Sequence, residues 1–426
     1  MKYKLFFFQF LYLSILCSCI NNKQEKSIVI LKHHLIDIGE NVIGYGGFLA
    51  QNQGSIVGLD FAPTVQPFFC IKPYGESQTL FRFGNKGQGP DDFLWPASIQ
   101  FINNQTIGAF DMMSGTYNIF SIPSEHEELN IDKKIKFQIQ LSKVIKTAFN
   151  QYIGLSVKEE MFLLADSSGM TINTFFEYPY KDIDERQFVS RSHAYQGVLV
   201  TNPLKDKFVY SSFHGEIIHF YRIENNNIET ISKIEKEYPI YRKRNDNYDG
   251  VEFNINTKAG YIATYATNKF VYAIFSGVKI SEIKSVNFEG EILRIFDWNG
   301  VLVKEYILDI PCSYLCVSDD DSKIWAIASN PDIALVSFDF ENKQNNDIQT
   351  QKKPDLNESQ LINGNSVQQH TFEITNEGMQ DEEKQKILDS IKNQLMNGNN
   401  KRIDINADII KDTIADNTIK IQLKLK

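Results

Sequence analysis

From Ile28 to Phe340 the chain repeats one local pattern: short apolar or alternating runs, each ended by turn-forming residues. Ser55 to Leu59, Thr106 to Asp111, Met161 to Ala165, Phe208 to Ser211, Phe270 to Phe275 and Lys323 to Ile327 are examples. Successive side chains of an extended strand point to opposite faces, so alternation buries one face and wets the other. No stretch of this region keeps a long helical period, and the pattern predicts an all-β sandwich, barrel or propeller. Length then decides. The span is about 313 residues, too long for one sandwich. Propeller blades are four-stranded repeats of roughly 40–50 residues, so the span holds six generous blades or seven tight ones.

Two blade-like segments stand out. One runs from Ile262 to Trp298, the next from Val301 to Phe338. Between them Asp297, Trp298, Asn299 and Gly300 read as a hairpin turn, since Asn-Gly supplies the positive φ angles of a two-residue loop. A propeller must also close its ring, and Ser27 to Lys32 is expected to pair beside Ala334 to Phe338. Hydrophobic residues at 42% and aromatics at 12% supply enough apolar surface for such a body. The net charge of -9, with no long basic stripe, argues against nucleic acid as a partner.

The N-terminus gives an address. Lys2 and Lys4 precede an apolar run from Leu5 to Leu16, far short of the ~20 residues a membrane-spanning helix needs. It reads as a signal peptide over 1–18. Leu16-Cys17-Ser18-Cys19 resembles a lipobox, which makes Cys19 the lipid-attachment residue and the membrane a partner through that anchor. Cys17 does not fit, because Leu16 would then occupy the small-residue position. The chain is expected in the cell envelope, at the outer rather than the inner membrane, with residues 19–26 as a tether. Cys312 and Cys316, four residues apart on a strand, lie roughly 13 Å from each other, beyond disulfide reach. With Cys70 they read as buried reduced thiols.

Composition changes after Phe340. Residues 341–369 are rich in Asn, Gln, Lys and Asp and read as a polar linker. Residues 370–426 read as a small α+β segment: an alternation at Thr371 to Ile374, a helix over Asp381 to Met396, and alternations at Ile403 to Ile409 and Ile419 to Leu425. A one-sided apolar strand needs a partner face, so this segment is expected to fold or dock.

The most specific segment is Phe83-Gly84-Asn85-Lys86-Gly87-Gln88-Gly89-Pro90-Asp91-Asp92-Phe93. With Cys19 and the Asp297 to Gly300 turn, it resembles the TolB-like six-bladed propeller lipoproteins, whose early-blade loop G-x-G-P-x-[D/E]-F is matched by Gly87, Gly89, Pro90, Asp92 and Phe93. The resemblance covers about residues 27–340. It implies a propeller and an envelope address, and no established reaction. Read from its own residues, the loop turns tightly at its glycines, Pro90 fixes φ and Phe93 plugs an apolar gap. A phosphate cradle would lead into a helix through Lys and Ser or Thr, and two acids stand there instead.

No set of residues declares a metal, a cofactor or a catalytic group. Asn245 to Gly250 places oxygens at alternate positions as a calcium loop does, yet it starts with Asn and has Asn256 where a bidentate Glu is needed. Asp319-Asp320-Asp321-Ser322 reads as a solvated hairpin tip. His214 and His219, five apart on a strand-like run, are expected on opposite faces. The reading is a non-catalytic envelope propeller that binds a peptide, protein or glycan. The alternatives are a metal-dependent hydrolase or lactonase in the funnel and an assembly protein docking through its C-terminal segment. Carboxylates and histidines in the funnel would mark the hydrolase; aromatics and amides would mark a binder.

Overall fold

The computed structural model describes residues 29–39, 42–63, 66–72, 80–186, 190–224, 226–244, 250–283, 288–328 and 333–340, with the backbone of 368–375 and 418–425. The chain forms two units, Val29–Gln351 and a second made of Met1–Ile28 with Lys352–Lys426.

The first unit opens with β1 (Val29–Leu31) and β2 (His33–Leu35). Blade 1 follows as β3 (Gly46–Asn52), β4 (Ser55–Asp60), β5 (Phe68–Ile71) and β6 (Leu80–Phe83), each strand antiparallel to the last. The two-residue strands β7 (Asn85–Lys86) and β8 (Asp92–Phe93) lead to blade 2. That blade holds β9 (Pro96–Phe101), β10 (Thr106–Asp111), β11 (Thr116–Ser121) and β12 (Ile131–Lys136). Blade 3 is β13 (Leu141–Lys146), β14 (Tyr152–Ser156), β15 (Glu160–Ala165) and β16 (Thr171–Glu177). After helical turns at Ile183–Arg186 and Arg191–Ala194 comes blade 4: β17 (Gly197–Thr201), β18 (Lys207–Ser212), β19 (Glu216–Glu224) and β20 (Asn227–Glu237). A ribbon, β21 (Tyr241–Lys243) with β22 (Val251–Phe253), precedes the last two blades.

Those blades form one continuous eight-stranded sheet. It contains β23 (Tyr261–Ala266), β24 (Phe270–Phe275), β25 (Gly290–Asp297), β26 (Leu302–Val317), β27 (Lys323–Ala328) and β28 (Ala334–Asp339), joined by β1 and β2. The long strand β26 serves both blades. Its first half pairs with β25 as the outer strand of blade 5, and from Cys312 it pairs with β27 as the inner strand of blade 6. The ring has six blades. The sequence cut between blades at Gly300 is therefore corrected: Leu302 to Leu308 belongs to blade 5, and the Asp297 turn lies inside that blade.

Ring closure is corrected as well. The strand beside β28 is β2, with His33 opposite Phe338 and Leu35 opposite Val336, so the N-terminus supplies the outer strand of blade 6. Val29 to Leu31 does not pair with β28; β1 runs parallel to Tyr306–Leu308 of blade 5. Asp309 explains the crossing. It lies where β26 passes between blades, accepts the His33 backbone N–H at 3.0 Å, and sits 3.8 Å from Lys32 Nζ. The chain thus changes blades at Lys32, one strand later than alternation alone suggests.

Six apolar clusters, one per seam, hold the described ring together. Between blades 1 and 2 Phe68 packs against Phe93 and Phe120, and between blades 3 and 4 Phe162 packs against Phe208 and Tyr221. The closing seam joins Ile56, Phe69 and Ile71 of blade 1 to Cys316, Trp325 and Ile327 of blade 6. Each blade buries both faces against neighbours, which is why its middle strands are apolar almost throughout and do not alternate.

In the second unit, β29 (Gln368–Thr375) pairs antiparallel with β30 (Thr418–Leu425) in unbroken register from Gln368–Leu425 to Thr375–Thr418. Strand β29 begins inside the stretch read as linker. Residues 1–28, with Cys19, and the expected helix at 381–396 lie outside the described residues.

Candidate functional site

The first strand of every blade faces the axis, so β3, β9, β13, β17, β23 and the second half of β26 line one channel. Where these strands pass into their following turns they enclose a cavity of about 320 Å3. Its walls carry the amides Gln51, Gln100, Asn103 and Asn202 and the aromatics Phe48, Phe101, Tyr265 and Tyr314. Its charged lining residues are Lys143, Lys205 and Asp319.

Several of these groups are fixed by bonds that cross from blade to blade. Gln100 Oε1 accepts the Lys146 backbone N–H at 2.6 Å and the Tyr117 hydroxyl at 3.0 Å, while its Nε2 donates to the Lys146 carbonyl at 3.2 Å. Tyr265 donates to the Gln51 carbonyl at 3.3 Å, tying blade 5 to blade 1. Lys205, in left-handed backbone at φ 58°, donates from Nζ to the Ile102 carbonyl of blade 2 at 3.0 Å. Asp319, the one carboxylate of the lining, accepts the Gln53 backbone N–H at 3.3 Å. Asn52 Nδ2 donates to Asn104 Oδ1 at the rim, 3.3 Å away.

Two lining groups are poorly satisfied. Gln51 is buried, and its Oε1 has no hydrogen-bond partner among the described residues. Lys143 keeps some contact with channel solvent, yet protein surrounds it, and burial alone pushes its pKa down to about 8. Its Nζ lies 5.1 Å from the centre of the Phe48 ring and 3.4 Å from the Ser142 carbonyl. It makes no ion pair among the described residues. Burial also lowers the pKa of Lys205, and that of Lys146, on which Lys205 and Lys133 act in the same direction.

The glycine-rich loop lies far from this chemistry in role. Gly84 turns the chain at φ 76°, Gly87 N–H is bonded to the Phe93 carbonyl at 3.2 Å, and Gly89 N–H to Asp92 Oδ2 at 2.8 Å. The N–H groups of Gly87 and Gly89 are thus taken up within the loop. Pro90 is exposed at the tip, and Phe93 is fully buried, 4.7 Å from Phe68 between ring centres. The arrangement is a clasp between blades 1 and 2.

The Asp297 turn differs from the expected two-residue loop. Gly300 alone has positive φ, at 79°, and its N–H donates to the Asp297 carbonyl at 3.0 Å. Asp297 Oδ1 accepts the N–H groups of Asn299 and Val301, both at 2.9 Å. This is a three-residue loop with a glycine bulge, and the Asp side chain replaces the Asn contribution. Trp298 is buried and donates to the Thr267 carbonyl at 3.1 Å.

The acidic tip is only partly solvated. Asp320 accepts from Ser318 and Ser322, which holds its pKa down at about 2. Asp321 accepts the Tyr272 hydroxyl at 3.0 Å, and Asp319 turns toward the cavity. His214 precedes β19 and stacks on Phe253 at 3.9 Å, so the opposite-face expectation does not apply to it. His219 is buried in blade 4 between Tyr221 and Glu235, at 2.9 and 2.8 Å, a satisfied structural network. Cys70, Cys312 and Cys316 are free and buried, and burial pushes the Cys70 thiol up to about 11. Of the run at 245–250 only Gly250 is described.

Sequence reasoning missed Lys143 and Lys205 and read Asp319 only as part of a hairpin tip, because register around a ring chooses which side chains face its axis. It also missed Asp60 and Asp111. Asp60 accepts N–H groups of Gly44, Tyr45 and Ala62, and Asp111 those of Leu94, Trp95 and Ser114. Each ends the second strand of its blade and ties down the approach to the first. The signal was legible as a repeat, Ile56-Val57-Gly58-Leu59-Asp60 against Ile107-Gly108-Ala109-Phe110-Asp111.

Comparison with known proteins gives a family. The TolB-like 6-blade propeller-like family model matches residues 43–321. No curated protein matches the chain. Among solved structures it is similar to an exported protein of Bacteroides fragilis, with 13% identity and TM-score 0.48 over 74% of this chain and 100% of that one. It is also similar to a DUF4221 family member of Bacteroides vulgatus, with 11% identity and TM-score 0.46 over 74% and 98%.

Proposed function

The chain belongs to the TolB-like six-bladed propeller family, and from that premise we propose that it is a lipid-anchored envelope protein whose axial cavity binds a peptide, protein or glycan without transforming it. One observation carries the binding role: six amide side chains and four aromatic rings stand among the aliphatic residues and two lysines of the cavity wall, with Asp319 as its one carboxylate and no histidine. Amides and aromatics supply orientation and contact area to a hydroxyl- or amide-bearing ligand. A hydrolase of the kind considered above needs several carboxylates and imidazoles converging on one point, and this wall does not bring them together.

The anchor is proposed at Cys19, supported by the Leu16-Cys17-Ser18-Cys19 pattern, and its membrane is proposed to be the outer one. Among the described residues no helix is long and apolar enough to cross a membrane. Cys19→Ala should release soluble protein or leave the precursor unprocessed; unchanged membrane fractionation and processing would remove the anchor.

The binding role is tested by a thermal-shift screen of envelope peptides and oligosaccharides against the full-length chain and Asn104→Trp, which crowds the rim. A ligand that binds the native state alone raises its melting temperature. Hits should shift the wild type and fail to shift Asn104→Trp. Hits that shift both equally bind elsewhere, and the cavity reading falls.

A further inference from the structure

The cavity has an electrical imbalance that its structural role does not explain. Buried ammonium groups are ordinarily paired with a carboxylate or surrounded by acceptors, because leaving water is costly for a charge. Lys143 has three N–H donors, and the described structure offers them one carbonyl at 3.4 Å and the face of Phe48. Lys205 reaches the same cavity from blade 4 and has one carbonyl, that of Ile102. Neither makes an ion pair among the described residues. The single carboxylate of the wall is engaged with the Gln53 N–H. Gln51 Oε1 adds a buried acceptor with no partner among the described residues.

We propose that the cavity takes a small carboxylate-bearing ligand, its carboxylate held by Lys143 and Lys205 and a hydroxyl or N–H of the same molecule donated to Gln51 Oε1. This rests on the reading of the cavity as a binding site and specifies what it selects. Two ammonium point charges would attract a carboxylate or a phosphate alike; the carboxylate is favoured because the apolar, aromatic and amide wall around them suits the organic body that carries it. An acidic sugar and the carboxyl end of a peptide both carry the required chemistry.

Titration calorimetry of the full-length chain in detergent distinguishes them, using D-glucuronate against D-glucose and N-acetyl-dialanine against its amide. At least one carboxylate should bind about tenfold or more tightly than its neutral counterpart, and the pair that shows this preference identifies the source. Lys143→Met should erase the preference while Lys143→Arg keeps part of it, with circular dichroism confirming the fold of both. Equal binding of charged and neutral members, or a preference surviving in folded Lys143→Met, overturns the proposal. If none of the four binds but a neutral hit from the screen still depends on Asn104, the carboxylate assignment falls and the cavity reading stands. If no hit depends on Asn104, both fall.

Discussion

Asp60 and Lys143 are both charges enclosed by the ring, and the protein treats them in opposite ways. Asp60, at a corner of blade 1, accepts three backbone N–H groups and pairs with Arg82 at 3.0 Å. Burial pushes its pKa up, and the backbone bonds and Arg82 outweigh that, holding it below the ordinary carboxylate value. Lys143 in the channel has one long contact and a ring face. The corner is a finished joint that fixes a loop. The channel keeps a charge that no carboxylate among the described residues offsets and that only channel solvent relieves, as a group kept for a role other than stability would be.

Breaking the corner should have the largest effect. Asp60→Ala leaves Arg82 with the Val42 carbonyl but without its carboxylate, and three N–H groups without their acceptor, and a loss of about 3–5 kcal/mol in denaturant unfolding is expected. Because its folded pKa is depressed, the stability Asp60 contributes is present above the unfolded value and fades as pH falls through it. A wild type and an Asp60→Asn variant that lose stability in parallel below pH 4 would deny this role.

Phe93→Ala probes the same side of the contrast without charge. Phe93 is fully buried against Phe68 in the clasp between blades 1 and 2, and its truncation should cost about 3–4 kcal/mol. A loss below 1 kcal/mol would mean the clasp does not hold the seam.

Lys143→Met should move stability the other way. A pKa near 8 in place of 10.5 means that folding disfavours the protonated form by up to about 3 kcal/mol below pH 8, so a gain of about 1–3 kcal/mol at pH 7 is expected. Between about pH 8 and 10.5 the unfolded wild type binds the extra proton, its stability rises with pH, and the advantage of the variant shrinks. Destabilisation by Lys143→Met at pH 7 would erase the comparison.

The smallest effect belongs to Lys146, three residues along the same strand. It donates to Asn150 Oδ1 at 2.8 Å, and Lys146→Met should change stability by less than about 1 kcal/mol. An equal gain from both lysines would show that β13 as a whole, and not the cavity, sets the cost.

Much of the fold was legible. Strand runs such as Thr106–Asp111 and Phe270–Phe275 appear where short apolar runs and turn residues predict them, because both signals act within a few residues. The Asp297 turn was found, and its type was not, since the Asp side chain took the donors that Asn-Gly would otherwise have arranged. The blade boundary was misplaced because β26 passes through two blades without a turn to mark the change. The glycine-rich loop was recognisable as a segment; its role followed from Asp92 and Phe93 closing it on itself.

By itself the sequence determined the all-β architecture, the envelope-type leader pattern as an expectation, and the thiols' inability to pair along one strand. These rest on local chemistry, on period-two alternation, on turn residues and on chain length. Strand spacing left six or seven blades open and the family resemblance implied six; only the tertiary structure decided closure through His33 to Leu35 and the meeting of Gln51, Lys143 and Lys205 around one cavity. Those residues are separated by whole blades, and ring register, which no local pattern encodes, selects the side chains that face the axis.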